Sequence, residues 1–335
     1  MNPQLIYQAL KTVPWGDAPP INMHYPGICH ETDGWLDRVG QTDKPGRRER
    51  HQRIAVPLFA AMAYPTAARD HLLLAHDWMA WLFEYDDQFD DGADGHSTHK
   101  ARRSRESLLS ILSDPLGTTR EVPRRTLQSG LQDIWSRLRA VTRPRVQARF
   151  AGHVSDYLES YEWETHNRRI GYCPDVEEYL EKRQHTGAAH PCFDLIVPAA
   201  GVSCDHLDLT DSRLRRLEYL SSEIITLSND LVSFPKEMEQ GDVHNIVIIL
   251  MNRRGHSEQA AIRQTVDWIK SRLEEFERSA RELARDPRAS NEDTRLYLHG
   301  LKVWYLANYF WSLRCSRFVV DGGGSREPPE RAAGG

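Results

Sequence analysis

Residues 72–91 read LLLAHDWMAWLFEYDDQFDD, and this pattern decides the fold class. Apolar side chains surround the first part on nearly every face, as in a helix buried at the centre of a helical protein. The segment ends on four aspartates, Asp86, Asp87, Asp90 and Asp91. Asp86 and Asp90 stand four residues apart, about 40° round a helix, and Asp87 and Asp91 repeat that spacing one step on. Carboxylates massed at the end of an apolar helix repel one another and oppose its dipole. A divalent cation relieves both, and hard oxygen ligands suit magnesium. An Asp-Asp-x-x-Asp cluster alone is more often a solvated acidic helix end; the apolar helix leading into it argues for a central position.

A second oxygen cluster lies at 229–237, NDLVSFPKE. Asn229, Ser233 and Glu237 fall four residues apart, within an arc of about 80° on a helix. An amide oxygen, a hydroxyl and a carboxylate then share one face, a three-oxygen chelate for a hard cation. Lys236 stands beside Glu237 and offers an ammonium to a phosphate. A polar stripe on an amphipathic helix gives the same spacing. Two such clusters on separate helices of one chain are harder to obtain from surface patterning. Pro235 removes one helical hydrogen bond inside this motif, which predicts a kink there and leaves the aim of Glu237 open.

Around these motifs the chain is helical in period, with almost no alternating strand pattern. Helices are expected near 36–39, 50–62, 66–91, 99–113, 123–140, 143–168, 175–186, 189–200, 211–240, 243–253, 256–286 and 290–320. Residues 1–35, rich in Pro, Gly and His, read as an irregular N-terminal strap. Residues 36–320 read as one domain, with no internal repeat or mid-chain linker, and 321–335 as a disordered tail with little to pack. The 335 residues include 9 Trp, 12 Tyr and 9 Phe, enough for a sizeable core. The net charge of -5 argues against nucleic acid or an anionic membrane surface as partner. No signal peptide is seen at the start and no apolar run of about 18 residues suits a membrane span. The five cysteines, Cys29, Cys173, Cys192, Cys204 and Cys315, are scattered with no Cys-x-x-Cys pair, which suggests reduced thiols in the cytoplasm.

Asp86-Asp87-Gln88-Phe89-Asp90 and Asn229-Asp230-x-x-Ser233-x-x-x-Glu237 together resemble the two metal motifs of class I terpene synthases, in the single-domain bacterial or fungal form. The resemblance runs from about Tyr64-Pro65 to Phe318. Glu164 and Arg168, Cys173-Pro174, Glu178-Tyr179-Leu180, and Gly241-Asp242-Val243-His244-Asn245 resemble family stretches in the right order. By that resemblance Arg183, 46 residues before Asn229, is the diphosphate sensor, with Thr186 and Gly187 the linker and effector where its helix breaks. Asn308, Trp311 and Arg317-Phe318 look like the family's final helix; Phe318 stands where the family usually has Tyr, and lacks the hydroxyl that would reach a diphosphate.

The resemblance implies an all-α helical bundle and three Mg²⁺ ions. These would be held by Asp86, with Asp87 and Asp90 as further candidates, and by Asn229, Ser233 and Glu237. Arg183, Lys236 and Arg317 would stabilise the departing diphosphate, and Gly187 would act at the helix break. Phe83, Thr186, Trp311, Phe318 and Asn308 would line the substrate pocket. The implied reaction is that of a carbon–oxygen lyase: ionisation and cyclisation of a linear prenyl diphosphate, farnesyl diphosphate first and geranylgeranyl diphosphate as the alternative. The family is compatible with a homodimer. Two other readings stay open at this point. A chain-elongating prenyltransferase shares the fold but would carry two aspartate-rich motifs. A non-enzymatic helical binding protein would carry the oxygen clusters as decoration. The histidines, including His185, His190 and His244, read as structural or solvated.

Overall fold

Five segments, residues 3–40, 47–90, 97–114, 122–203 and 206–315, are described in the computed structural model. Arg317, Phe318, Cys204, Asp91, the expected tail and the side chain of Asp90 lie outside the described residues.

The apolar run of the first motif forms the core of α5 (Arg69–Asp90). Trp78, Trp81 and Tyr85 follow at helical spacing and stack in a ladder, with centroids 5.3 Å apart at each step. Trp81 Nε1 donates to the Leu127 carbonyl at 2.8 Å. Stacked pairs of this kind add about 0.5–1.5 kcal/mol beyond the area they bury, so α5 is held from its middle.

α12 (Ser212–Gln240) is the second central helix and is buried on most faces from Leu220 to Pro235. It packs on α14 (Glu258–Arg285) and α15 (Glu292–Ser312). α15 packs on α4 (Val56–Ala63), and α4 packs on α5. α8 (Pro144–Ile170) touches α5 through Tyr85–Tyr161, ring centroids 5.1 Å apart, and packs on α9 (Val176–Thr186) and α10 (Ala189–Asp194). α9 returns to α12. A ring of helices therefore encloses a central space. The remaining helices are α1 (Pro3–Leu10), α2 (Tyr25–Arg38), α3 (Arg47–Ile54), α6 (Thr98–Leu112), α7 (Leu127–Val141), α11 (Ile196–Ala199) and α13 (Ile246–Arg254). No strand occurs among the described residues, and the fold is all-α. None of the described helices is long and apolar enough to cross a membrane.

Two expectations need correction. Residues 1–35 are not irregular throughout: α1 buries Ile6 and Leu10, and α2 buries Ile28, Trp35 and Leu36. The apolar residues of this stretch follow a helical period that the surrounding Pro and Gly obscure. The helix expected over 50–62 is two helices, broken at Ala55, whose φ of 54° is left-handed. Pro57 explains the break, since its missing N–H is tolerated in the first turn of α4 but not inside a continuous helix. The helix expected over 211–240 is α12, which continues through Pro235 to Gln240.

Candidate active site

The ring of helices encloses a cavity of about 660 Å³, within the range of small-molecule sites. Asp86, Arg183, Thr186, Gly187, Asn229, Ser233, Lys236 and Glu237 line it, together with Phe83, Asn308 and Trp311. Residues more than 200 apart in sequence thus meet at one space, because α5, α12 and α15 all stand on the ring of helices around it.

The two ends of the cavity differ in chemistry. Its apolar part is walled by Phe59, Phe83, Trp304 and Trp311. Phe59 stacks on Trp311 at 4.4 Å and meets Trp304 edge-on at 5.2 Å, and Phe83 tilts against Trp311 at 5.7 Å. Trp311 is locked by its Nε1–H bond to the Ile54 carbonyl at 2.7 Å. Asn308 is buried and turned to α12, donating to Ser228 Oγ at 3.2 Å.

The polar part is built from α5, α8, α9 and α12. Tyr161 Oη donates to Asp86 Oδ1 at 2.5 Å and is itself 3.2 Å from Tyr157 Oη. Asp87 is not among the residues lining this cavity. One helix step turns it away, and its buried carboxylate pairs with Arg50 of α3. The metal role considered for Asp87 therefore meets a carboxylate engaged elsewhere. On α12, Asn229, Ser233 and Glu237 line the cavity wall together, as their common helix face requires.

Asp230, between them in sequence but on another face, is fully buried. It accepts Tyr179 Oη at 2.7 Å, the Ile246 N–H at 2.9 Å, and both Nε and one terminal nitrogen of Arg183, at 3.1 and 2.8 Å. Arg183 also donates to Asn229 Oδ1 and to Thr186 Oγ1, each at 3.1 Å. The guanidinium is thus aimed by the same helix that carries the oxygen cluster. Burial works against its charge, but Asp230 and nearby acids hold its pKa well above the usual value. Gly187 ends α9 where a Cβ would sit 2.4 Å from Thr226 Cγ2, so only glycine allows α9 and α12 to approach this closely.

Glu237 shows the charge balance of the site. Burial first, then the nearby carboxylates of Asp230 and Asp242, raise its pKa to about 7. A site that disfavours its own carboxylate's charge is one that a cation would relieve. Asp242 goes the other way. Burial alone would raise it, but the His244 hydrogen bond and the Arg168 charge hold it far below the usual carboxylate range. Arg168 bridges Asp242 and Glu164 at 3.2 and 3.3 Å, tying α8 to the loop after α12.

The donor set fits a hard divalent cation. It is oxygen throughout and lies on two walls of one cavity. Among the described residues no three His, Cys, Asp or Glu side chains converge on a single point. That suits magnesium, which keeps waters and substrate phosphates as ligands rather than an all-protein cage. Several lining or supporting residues escaped the sequence reading. Tyr157 and Tyr161, four apart on α8, carried a helical-spacing signal that pointed equally to core. Phe59 and Trp304 likewise read as core, and the contacts of Asn245 with α12 carried no signal.

Comparison with known proteins agrees with this arrangement. The family model for terpene synthase family 2, C-terminal metal binding, matches residues 77–275. The chain is 33% identical over 314 residues to (+)-T-muurolol synthase ((2E,6E)-farnesyl diphosphate cyclizing) of Roseiflexus castenholzii, covering 93% of this chain and 94% of that one. It is 27% identical over 319 residues to pristinol synthase of Streptomyces pristinaespiralis, covering 92% and 86%. The solved linalool/nerolidol synthase from Streptomyces clavuligerus shares the fold with a TM-score of 0.78 at 24% identity, over 88% of this chain and 98% of that one. The chain belongs to the terpene synthase family. It is an enzyme of that family, and its metal-binding domain takes a divalent cation.

Proposed function

We propose that this protein is a class I terpene cyclase that ionises farnesyl diphosphate and closes the resulting carbocation into a ring. The observation that carries the reading is one cavity lined both by oxygen donors from α5 and α12 and by the rings of Phe59, Phe83, Trp304 and Trp311. The relative at 33% identity is named for cyclising (2E,6E)-farnesyl diphosphate, which supports the C15 chain length.

The residues divide the work by charge. Asp86 on one wall and Asn229, Ser233 and Glu237 on the other would hold three Mg²⁺ ions. Held there, they would supply positive charge to the diphosphate leaving group. Arg183 and Lys236 place cationic donors where negative charge develops on the leaving group. Phe59, Phe83, Trp304 and Trp311 wall the hydrocarbon end, exclude water that would quench the cation, and offer ring faces to positive charge. No lining side chain is marked as a terminating base, and the released diphosphate fills that role. The reaction makes the protein a carbon–oxygen lyase. The scattered cysteines, with no Cys-x-x-Cys pair, support action in the cytoplasm, and the family resemblance is compatible with a homodimer.

Incubation with C10, C15 and C20 prenyl diphosphates, with Mg²⁺ or chelator, tests the proposal through analysis of volatile products. A cyclic C15 product that disappears with chelator is expected. A cyclic product from the C20 substrate alone would shift the assignment to a diterpene cyclase. Longer prenyl diphosphates on adding a C5 donor would make the protein a chain-elongating enzyme. No diphosphate release from any substrate would overturn the reading.

A further inference from the structure

Asn245 stands at the start of α13, fully buried, with no role in the reading above. Its Oδ1 accepts the Val247 N–H at 2.9 Å and so caps the helix. The amide nitrogen then faces α12. Nδ2 donates to the Asp230 carbonyl at 2.7 Å and to Glu237 Oε2 at 2.7 Å, and lies 3.5 Å from Ser233 Oγ. The opposite amide orientation would set an oxygen against two acceptors and leave the cap unmade, so the contacts determine which way the group points.

Glu237 needs such support. It lies in the last turn of α12, two residues past Pro235, which supplies no N–H to that turn. Its side chain is long, and its Oε1 has no hydrogen bond among the described residues. Asn245 holds Oε2 of a residue that lines the cavity, and leaves Oε1 uncommitted. The same amide ties the Asp230 carbonyl, so one side chain joins the turns of α12 before and after the proline.

We propose that Asn245 is a positioning residue for the metal site, orienting the Glu237 carboxylate and stabilising the proline-containing turn that presents Ser233 and Glu237. This rests on the reading of Asn229, Ser233 and Glu237 as metal ligands. Outer partners that orient a ligand typically change metal affinity about 10- to 100-fold when removed. The cap and the ligand contact belong to different atoms of Asn245, so they separate by substitution. Asn245→Ser keeps an oxygen cap for α13 and deletes the amide nitrogen. Asn245→Asp also keeps the cap and puts an oxygen where the nitrogen stood.

The test titrates Mg²⁺ into the protein calorimetrically with inorganic diphosphate and no substrate, beside thermal melts. Asn245→Ser is expected to weaken Mg²⁺ binding about 10- to 100-fold while its helical spectrum stays that of the wild type. The Mg²⁺ concentration for half-maximal turnover should rise in step. Wild-type Mg²⁺ affinity in the folded variant would overturn the proposal, as would a lowered melting temperature with unchanged affinity. If Asn245→Ser does not fold, Asn245→Asp decides by the same criterion, with a loss at least as large expected. Failure of the wild type itself to bind Mg²⁺ with diphosphate would overturn the metal-site reading beneath this one, and is distinguished by appearing before any substitution.

Discussion

The two oxygen clusters, at the end of α5 and in the body of α12, reach the same cavity by different means. On α12 the three donors are four residues apart and share one face, so packing that face against the cavity presents all three. At the end of α5 the acids are consecutive and point in different directions. Asp86 meets the cavity and Tyr161, while Asp87 turns to Arg50. The α12 cluster is also wired into its surroundings through Asp230, Arg183, Tyr179 and Asn245. A periodic motif is thus aimed by its own helix, whereas a contiguous one is sorted by its neighbours.

The largest expected effect lies on the wired side. Asn229→Ala removes an oxygen donor and an Arg183 acceptor together, and steady-state kinetics should show turnover lower by at least about 100-fold. An intact helical spectrum would assign the loss to the site; near-normal activity would remove Asn229 from it. On the other side, adjacent substitutions should differ in kind. Asp86→Asn should lose activity about 10- to 100-fold with little change in melting temperature. Asp87→Asn should keep most activity but lose about 1–2 kcal/mol of stability in denaturant titration, as Arg50 loses its partner. Equal activity losses at both positions would erase the asymmetry.

Gly187→Ala tests the contact between α9 and α12. Its methyl would press on Thr226 Cγ2, and overpacking of this kind costs about 1–3 kcal/mol. Adding Thr226→Ser, which deletes that methyl, should restore most of the stability. Failure of the pair to recover would show that the Arg183 carbonyl, 3.3 Å from that methyl, limits the space rather than Thr226. The smallest effect is on pH dependence. Asp242 is depressed below its ordinary 3.8 in the folded state. Its contribution to stability is therefore present above that value and lost as pH falls toward the folded pKa. His244→Ala removes one cause of the depression, so thermal melts below about pH 4 should fall less steeply in the variant than in the wild type.

Much of the site was legible before any coordinates. Asp86, Asn229, Ser233 and Glu237 were legible as a set, because two oxygen clusters at helical spacing on separate helices are hard to obtain from surface patterning even though either alone reads as a solvated face. Arg183, Thr186 and Gly187 came from resemblance, and they lie where α9 meets α12. Asp87 could not be separated from Asp86 on sequence, since one residue step of about 100° has no meaning until the helix is packed. Tyr161 and Trp304 were invisible as site residues because an aromatic residue at helical spacing reads as core. Asn245 was visible only as part of a stretch, because its two functions join atoms of α13 to α12.

From the sequence by itself come the all-α class, the two motifs and the helix faces that carry them, since these depend on local spacing and the 3.6-residue turn. Tertiary structure alone decided which carboxylate faces the cavity, which rings wall it, and which buried amide steadies Glu237. Those choices depend on contacts between residues far apart in the chain, whose geometry exists only once the helices have packed.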